Sequence, residues 1–275
     1  MSELIRQTAR DRLVSSHTKL NRKISVSEKS AQRFFVCNSP TISMTLFRFG
    51  RISDIIGSVI TMNQQKIQKL LESLPKDVTL VTVSKHHQKQ KIDEVYQYGC
   101  RIFGENKVQE LKEKYDPNYE WHMIGHLQRN KVKDVINLVS MIQSVDSLPL
   151  LKEIEKQCAK RDICMPILIE VNISREPNKY GILLHETEAF VEQCLLFPHV
   201  KLQGLMCVGP HSEDRSVIAD CFHQMQQCFL TLKEKYGSEC FRYLSMGMSD
   251  DYELALKYGS NMIRLGSIIM GERNY

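Results

Sequence analysis

Eight short apolar runs alternate with helical stretches along this chain, and that alternation constrains the fold more than any other feature. The runs are VTLVTVS (78–84), RIFG (101–104), EWHMIG (120–125), MIQSVD (141–146), PILIEVNIS (166–174), VKLQGLMCVG (200–209), RYLSMG (242–247) and NMIRLG (261–266). Helical patterns fill 88–98, 107–115, 129–138, 148–160, 185–196, 213–236 and 250–258. A strand that is apolar nearly throughout is buried on both faces, which in strict β-then-α order means a parallel sheet covered by helices. Eight such units close a ring, so the expected fold class is α/β, a single (β/α)8 TIM-like barrel. A doubly wound open sheet is the alternative, because periodicity alone does not separate the two. The span 78–275 leaves no room for a second domain.

Charge divides the chain unevenly. Residues 1–60 hold ten Lys and Arg against four acids, and the remainder holds 27 against 28, so the net +5 comes from the N-terminal part. The folded part is therefore not expected to bind nucleic acid. A basic, Ser- and Arg-rich extension over 1–61, expected to be poorly ordered, precedes a barrel over 62–275, where Ile67, Leu70, Leu71 and Leu74 recur at helical spacing before Pro75. Three readings of the extension compete: a loose extension or an upstream start ahead of Met62, a transit peptide, and an added interaction element. Nine cysteines without a C-x-x-C pair speak for free thiols and a reducing, cytoplasmic setting. The sequence has no apolar run near the roughly 18–20 residues a membrane helix needs.

In a barrel of this kind the active face is built from the C-terminal ends of the strands and the loops that follow. Ser84-Lys85 ends the first run, Gly104-Glu105-Asn106 the second, His122 and Gly125-His126 the third, and Asn172 the fifth. Ser245-Met246-Gly247-Met248-Ser249 ends the seventh, and Arg264 with Gly266-Ser267 the eighth. A lysine following an apolar strand is partly desolvated, which favours the neutral, nucleophilic amine; equally, such a lysine can be a plain surface charge. The small and hydroxyl residues after runs seven and eight suit a phosphate group, while Ser249-Asp250-Asp251 also reads as a helix N-cap. Arg264 either meets a cofactor or forms an ion pair inside the barrel. The neighbours His86-His87, and His122 with His126, are not expected to form a metal site.

These residues, in this order, resemble the YggS/PROSC family of pyridoxal phosphate-binding proteins, the pyridoxal phosphate homeostasis proteins. The matching segments include VTLVTVSK (78–85), RIFGENKVQEL (101–111), EWHMIGHLQRNK (120–131), EVNISREPNKYGI (170–182), LSMGMSDDYELAL (244–256) and IRLGSIIMGERNY (263–275). The resemblance implies a barrel like the N-terminal domain of alanine racemase and pyridoxal 5′-phosphate carried as a Schiff base on Lys85. It places Asn106 near the ring, Ser245, Met248, Ser249, Gly266 and Ser267 at the phosphate, and Arg264 at the pyridine nitrogen. Lys179 matches a loop lysine that helps deliver or release cofactor. The chain departs from the family where His86-His87-Gln88 replace a Thr and nearby Pro, and where Lys107 replaces a tyrosine. The implied role is intracellular buffering of the cofactor and its delivery to apo-enzymes, by a monomer that is not an enzyme. The alternative is an amino-acid racemase or related enzyme, which needs an acid/base on each face of the substrate carbon.

Overall fold

The computed structural model describes residues 52–271, with side chains from 63 onward. Residues 1–51 of the N-terminal extension lie outside the described residues. Helix α1 (Ile52–Ser73) comes first and crosses the 61/62 line drawn from composition. Ile52, Ile55, Ile56, Val59 and Ile60 already follow helical spacing, so the element starts before the Ser- and Arg-rich character ends.

Eight strands and eight further helices then alternate. They are β1 (Thr79–Val83), α2 (Lys89–Gln97), β2 (Ile102–Glu105), α3 (Val108–Lys114), β3 (Glu120–Met123), α4 (Val132–Val135), β4 (Met141–Val145) and α5 (Leu148–Ala159). The second half holds β5 (Met165–Asn172), α6 (Thr187–Leu195), β6 (Val200–Cys207), α7 (Arg215–Tyr236), β7 (Tyr243–Ser245), α8 (Tyr252–Lys257), β8 (Met262–Leu265) and α9 (Ser267–Met270). An extra two-residue strand, Ile182–Leu183, pairs with the end of β5. All pairings are parallel. β1 pairs with both β2 and β8, and β4 pairs with β5, so the sheet closes into a barrel and the open-sheet alternative falls away.

Side chains alternate along each strand, and this period of two separates two cores. One face packs Phe103, Trp121, Ile142, Ile167, Leu205 and Ile263 against the helices. The other face fills the barrel with Val81, Met141, Leu168, Met206 and Met262. Two residues further along the same strands the interior-facing positions turn polar: Gln143 follows Met141, Glu170 follows Leu168, and Arg264 follows Met262. Ser245 and His122 complete this buried set. The polar layer lies under the mouth. There the fold sets its chemistry.

Candidate functional site

Lys85 stands where β1 ends, half-buried, and the backbone on both sides of it is pinned. Before it, Ser84 donates its hydroxyl to Glu105 Oε1 at 2.7 Å, while Lys114 Nζ donates to the Ser84 carbonyl at 3.0 Å. After it, the His86 N–H donates to Glu110 Oε2 at 2.7 Å, with His86 held at φ 65°. Lys114 joins the two carboxylates, reaching Glu105 Oε1 and Glu110 Oε2 at 2.9 Å each. Burial pushes the Glu105 carboxyl above its ordinary range, against the pull of Ser84 and Lys114. Burial also acts to raise Glu110, but the His86 N–H and Lys114 outweigh it and hold that carboxyl low. A left-handed histidine next to the amine is a sterically unusual position that the Glu110 contact maintains.

The other end of the site is built from backbone and hydroxyls. Gly247 follows β7 at φ 97°, and a Cβ there would lie 2.7 Å from Ala255 Cβ and 2.9 Å from Tyr252 Cα, so only glycine fits. Met248 donates its N–H to Asp251 Oδ1 at 2.6 Å, and the Gly266 N–H donates to Ser249 Oγ at 3.2 Å, tying the loop after β7 to the loop after β8. Asp251, not Ser249, precedes α8, so the helix starts two residues later than the Ser249 N-cap reading places it. The Ser249 hydroxyl turns to Gly266 instead. Ser267 is exposed at the rim. A small cavity lined by Val83, Lys85, His87, Gly266, Ser267 and Gly271 joins the amine to this second end.

Below the mouth, Arg264 is 3% exposed. Its Nη1 donates to Ser245 Oγ at 2.7 Å and its Nη2 to the Cys207 carbonyl at 2.8 Å. Glu170 is also buried; its Oε2 has no hydrogen-bond partner among the described residues, and burial, helped by Asp146 and opposed by Arg264, pushes its carboxyl up to about 7. Asn106 sits against the mouth because Gly125 permits it: a Cβ on Gly125 would lie 2.5 Å from the Asn106 carbonyl oxygen. The Asn106 Oδ1 is buried without a partner of its own. Such an orphaned acceptor is uncommon in a folded interior and marks a place for a ligand or water.

A loop after β5 closes one side. Asn172 donates its amide to the carbonyls of Glu176 and Lys179, and Lys179 Nζ reaches Glu176 Oε1 at 2.6 Å and the Gly209 carbonyl at 3.0 Å. Tyr180 stacks on His126 with ring centroids 3.7 Å apart, and His126 Nδ1 meets Asp146 Oδ2 at 2.8 Å. A groove of 1110 Å³ lies further round the rim between His126 and Lys156, and of the strand-end residues singled out from the sequence it holds His126 alone.

The structure thus brings Lys85, Gly266 and Ser267 to one cavity, with Ser249 bonded to Gly266. It places Asn106 on another arc of the rim, leaves Met248 39% exposed, and draws Ser245 and Arg264 beneath the mouth into hydrogen bonds with each other. Sequence reasoning missed Glu110 and Lys114, whose i,i+4 spacing on α3 is a readable signal. It also missed Gln143 and Glu170, polar residues inside otherwise apolar strands. An amine, a glycine- and hydroxyl-lined nest and an orphaned amide acceptor match the aldehyde, phosphate and ring substituents of pyridoxal phosphate.

A barrel with these strand-end residues is of the alanine racemase class: the profile of the family described as alanine racemase, N-terminal domain, matches residues 59–274. Within that class the chain belongs to the pyridoxal phosphate homeostasis protein family. It is 36% identical over 218 residues to the pyridoxal phosphate homeostasis protein of Aquifex aeolicus, covering 77% of this chain and 95% of that one. It is 33% identical over 247 residues to the human pyridoxal phosphate homeostasis protein, covering 80% and 87%. The solved structure of PipY from Synechococcus elongatus without PLP superposes with a TM-score of 0.72 at 30% identity, covering 76% of this chain and 99% of that one. The same protein with PLP bound gives 0.70 at 28% over 76% and 100%. Alanine racemase of Clostridium difficile, at 12% identity and a TM-score of 0.60 over 76% of this chain and 56% of that one, shares the fold.

Proposed function

We propose that this chain binds pyridoxal 5′-phosphate reversibly at the barrel mouth, as a Schiff base on Lys85, and holds and passes on the cofactor without turning over a substrate. The observation that carries the reading is the cavity that Lys85, Gly266 and Ser267 line together. The bound group would supply a reactive aldehyde; the Lys85 amine adds to it with loss of water. The chain's own residues do the rest. Glu105, Glu110 and Lys114 fix the backbone that presents Lys85, Ser249 orders Gly266, Asn106 would offer its amide oxygen, and Arg264 would face the pyridine nitrogen. The PLP-bound form of PipY and the homeostasis role in the relatives' names support this reading. Cys207, fully buried with a thiol pushed up to about 12 by burial, does not serve as the second base a racemase requires. We place the protein's action inside the cell, as a monomer delivering cofactor to apo-enzymes; the eight described cysteines are all free thiols, which agrees with a reducing compartment.

The test is spectroscopic. Protein loaded with pyridoxal phosphate should absorb near roughly 420 nm, and borohydride should fix the adduct on Lys85. Lys85→Ala retaining that absorbance after desalting refutes the attachment. Incubation with L-alanine in deuterated water should leave the Cα proton in place; exchange with turnover would establish the racemase reading instead.

A further inference from the structure

Gln143 and His122 are fully buried, polar, and absent from the cavity that holds Lys85. A buried polar group needs partners, and theirs run in single file across the barrel interior. Arg264 Nη1 donates to Ser245 Oγ at 2.7 Å, and Ser245 Oγ donates to Gln143 Oε1 at 2.8 Å. Gln143 Nε2 lies 2.8 Å from His122 Nδ1, and His122 Nε2 lies 3.3 Å from Glu120 Oε1. Glu120 begins β3, with its side chain 48% exposed at the opposite end of the barrel from Lys85.

The direction of every bond follows from the first. A guanidinium only donates, so Ser245 Oγ accepts from it and keeps its single proton for Gln143. The Gln143 oxygen then faces Ser245 and its amide nitrogen faces His122, so His122 Nδ1 is an acceptor. The imidazole proton must sit on Nε2, pointing at the Glu120 carboxylate, whose pKa is held low chiefly by that contact. With Gln143 turned over, His122 Nδ1 would have to donate. A neutral ring would then set a lone pair against the carboxylate, which only an imidazolium avoids.

We propose that Gln143 and His122 are positioning residues that fix the Arg264 guanidinium through this one-way file of hydrogen bonds. Ser245 belongs to the same file. Its proton is committed to Gln143, so it has none to donate to a phosphate oxygen, and the hydroxyl donors left for the phosphate end are those of Ser249 and Ser267. The consequence for cofactor retention rests on the proposed pyridoxal phosphate site; the geometry of the file does not.

Two measurements on the full-length protein separate these parts. Without cofactor, ¹⁵N NMR of the histidine rings at pH 7 should show His122 with Nδ1 bare and Nε2 protonated; a protonated Nδ1 overturns the file. Gln143→Met keeps the side-chain volume and removes both hydrogen bonds, and should speed exchange of the Arg264 guanidinium protons about tenfold. Unchanged exchange overturns the positioning role. Should that variant fail to fold, Ser245→Ala and Ser245→Thr carry the same test: the alanine loses the protection and the threonine keeps it. For the loaded protein, Ser245→Ala should weaken pyridoxal phosphate binding about tenfold with Lys85 still trapped by borohydride at saturation, and Ser245→Thr should bind as wild type. If both serine variants release cofactor equally, Arg264 is not the group through which Ser245 acts. Wild-type protein that binds no pyridoxal phosphate refutes the proposed function, while the histidine tautomer and guanidinium exchange still decide the file.

Discussion

The two ends of the site are held in different ways. At the β1–β2 end a buried lysine and two glutamates clamp the backbone around Lys85, so that charge sets the geometry. At the β7–β8 end there is no ion pair among the described residues. Gly247 in a left-handed conformation and the Ser249–Gly266 hydrogen bond shape the chain there. Under the proposed function, the contrast follows from what each end would present. A nucleophilic amine must be aimed along one direction, which fixed charges can do. A phosphate-sized group is met by several N–H and O–H groups at once, which a tight turn of small residues brings together. The charged end is therefore vulnerable to loss of a partner, and the glycine end to gain of an atom.

The largest effect should come from breaking the charged end. Lys114→Met leaves the fully buried Glu105 without its cation and should cost about 3–5 kcal/mol in urea unfolding at pH 8, less at pH 5 where Glu105 can take a proton. A loss below about 1 kcal/mol at both pH values would mean that the clamp is ornamental. Next comes the glycine end. Gly247→Ala should cost about 2–3 kcal/mol, because φ 97° and the 2.7 Å approach to Ala255 both oppose a Cβ. Wild-type stability in that variant would show that the loop after β7 yields easily and that the two ends are more alike than their geometry indicates.

Between the two ends lies Glu170, and pH exposes it. Its carboxyl is raised from 4.5 to about 7 in the folded state, so the folded chain holds this proton more tightly than the unfolded one. The stability it contributes is complete below the unfolded value and is lost as pH rises through about 7. Glu170→Gln should therefore gain about 1–3 kcal/mol over wild type at pH 8 and little at pH 4. The same difference at both pH values would assign the effect to packing. The smallest effect belongs to the loop over the rim: Tyr180→Ala removes the stack on His126 and should cost less than about 1 kcal/mol in thermal unfolding. A much larger cost would make this loop a structural part of the barrel.

The strands were legible because parallel strands are buried on both faces and leave unbroken apolar runs. Each of the eight runs, from VTLVTVS to NMIRLG, marks one barrel strand, with β2 and β5 each extending one residue past its run. Lys85, Gly266 and Ser267 were legible because strand ends define the mouth once the strands are known. The family resemblance places Ser245 at the phosphate end, where its hydroxyl and small neighbours suit that role. The structure turns it inward, because Ser245 shares the interior-facing parity of Tyr243, and that parity continues under the rim. On α3 only the i,i+4 pair of Glu110 and Lys114 is legible in the sequence; that Lys114 also reaches Glu105 and Ser84 shows only when the helix is laid beside β1 and β2.

By itself the sequence determined the order of strands and helices, the family, and which residues stand at strand ends, since local periodicity and motif order carry that information. Only the tertiary structure decided which polar side chains face one another across the barrel. Arg264, Ser245, Gln143 and His122 come from four strands and as many as 142 positions of sequence separate them, so these side chains bond to one another only because the closed ring brings them together and excludes water.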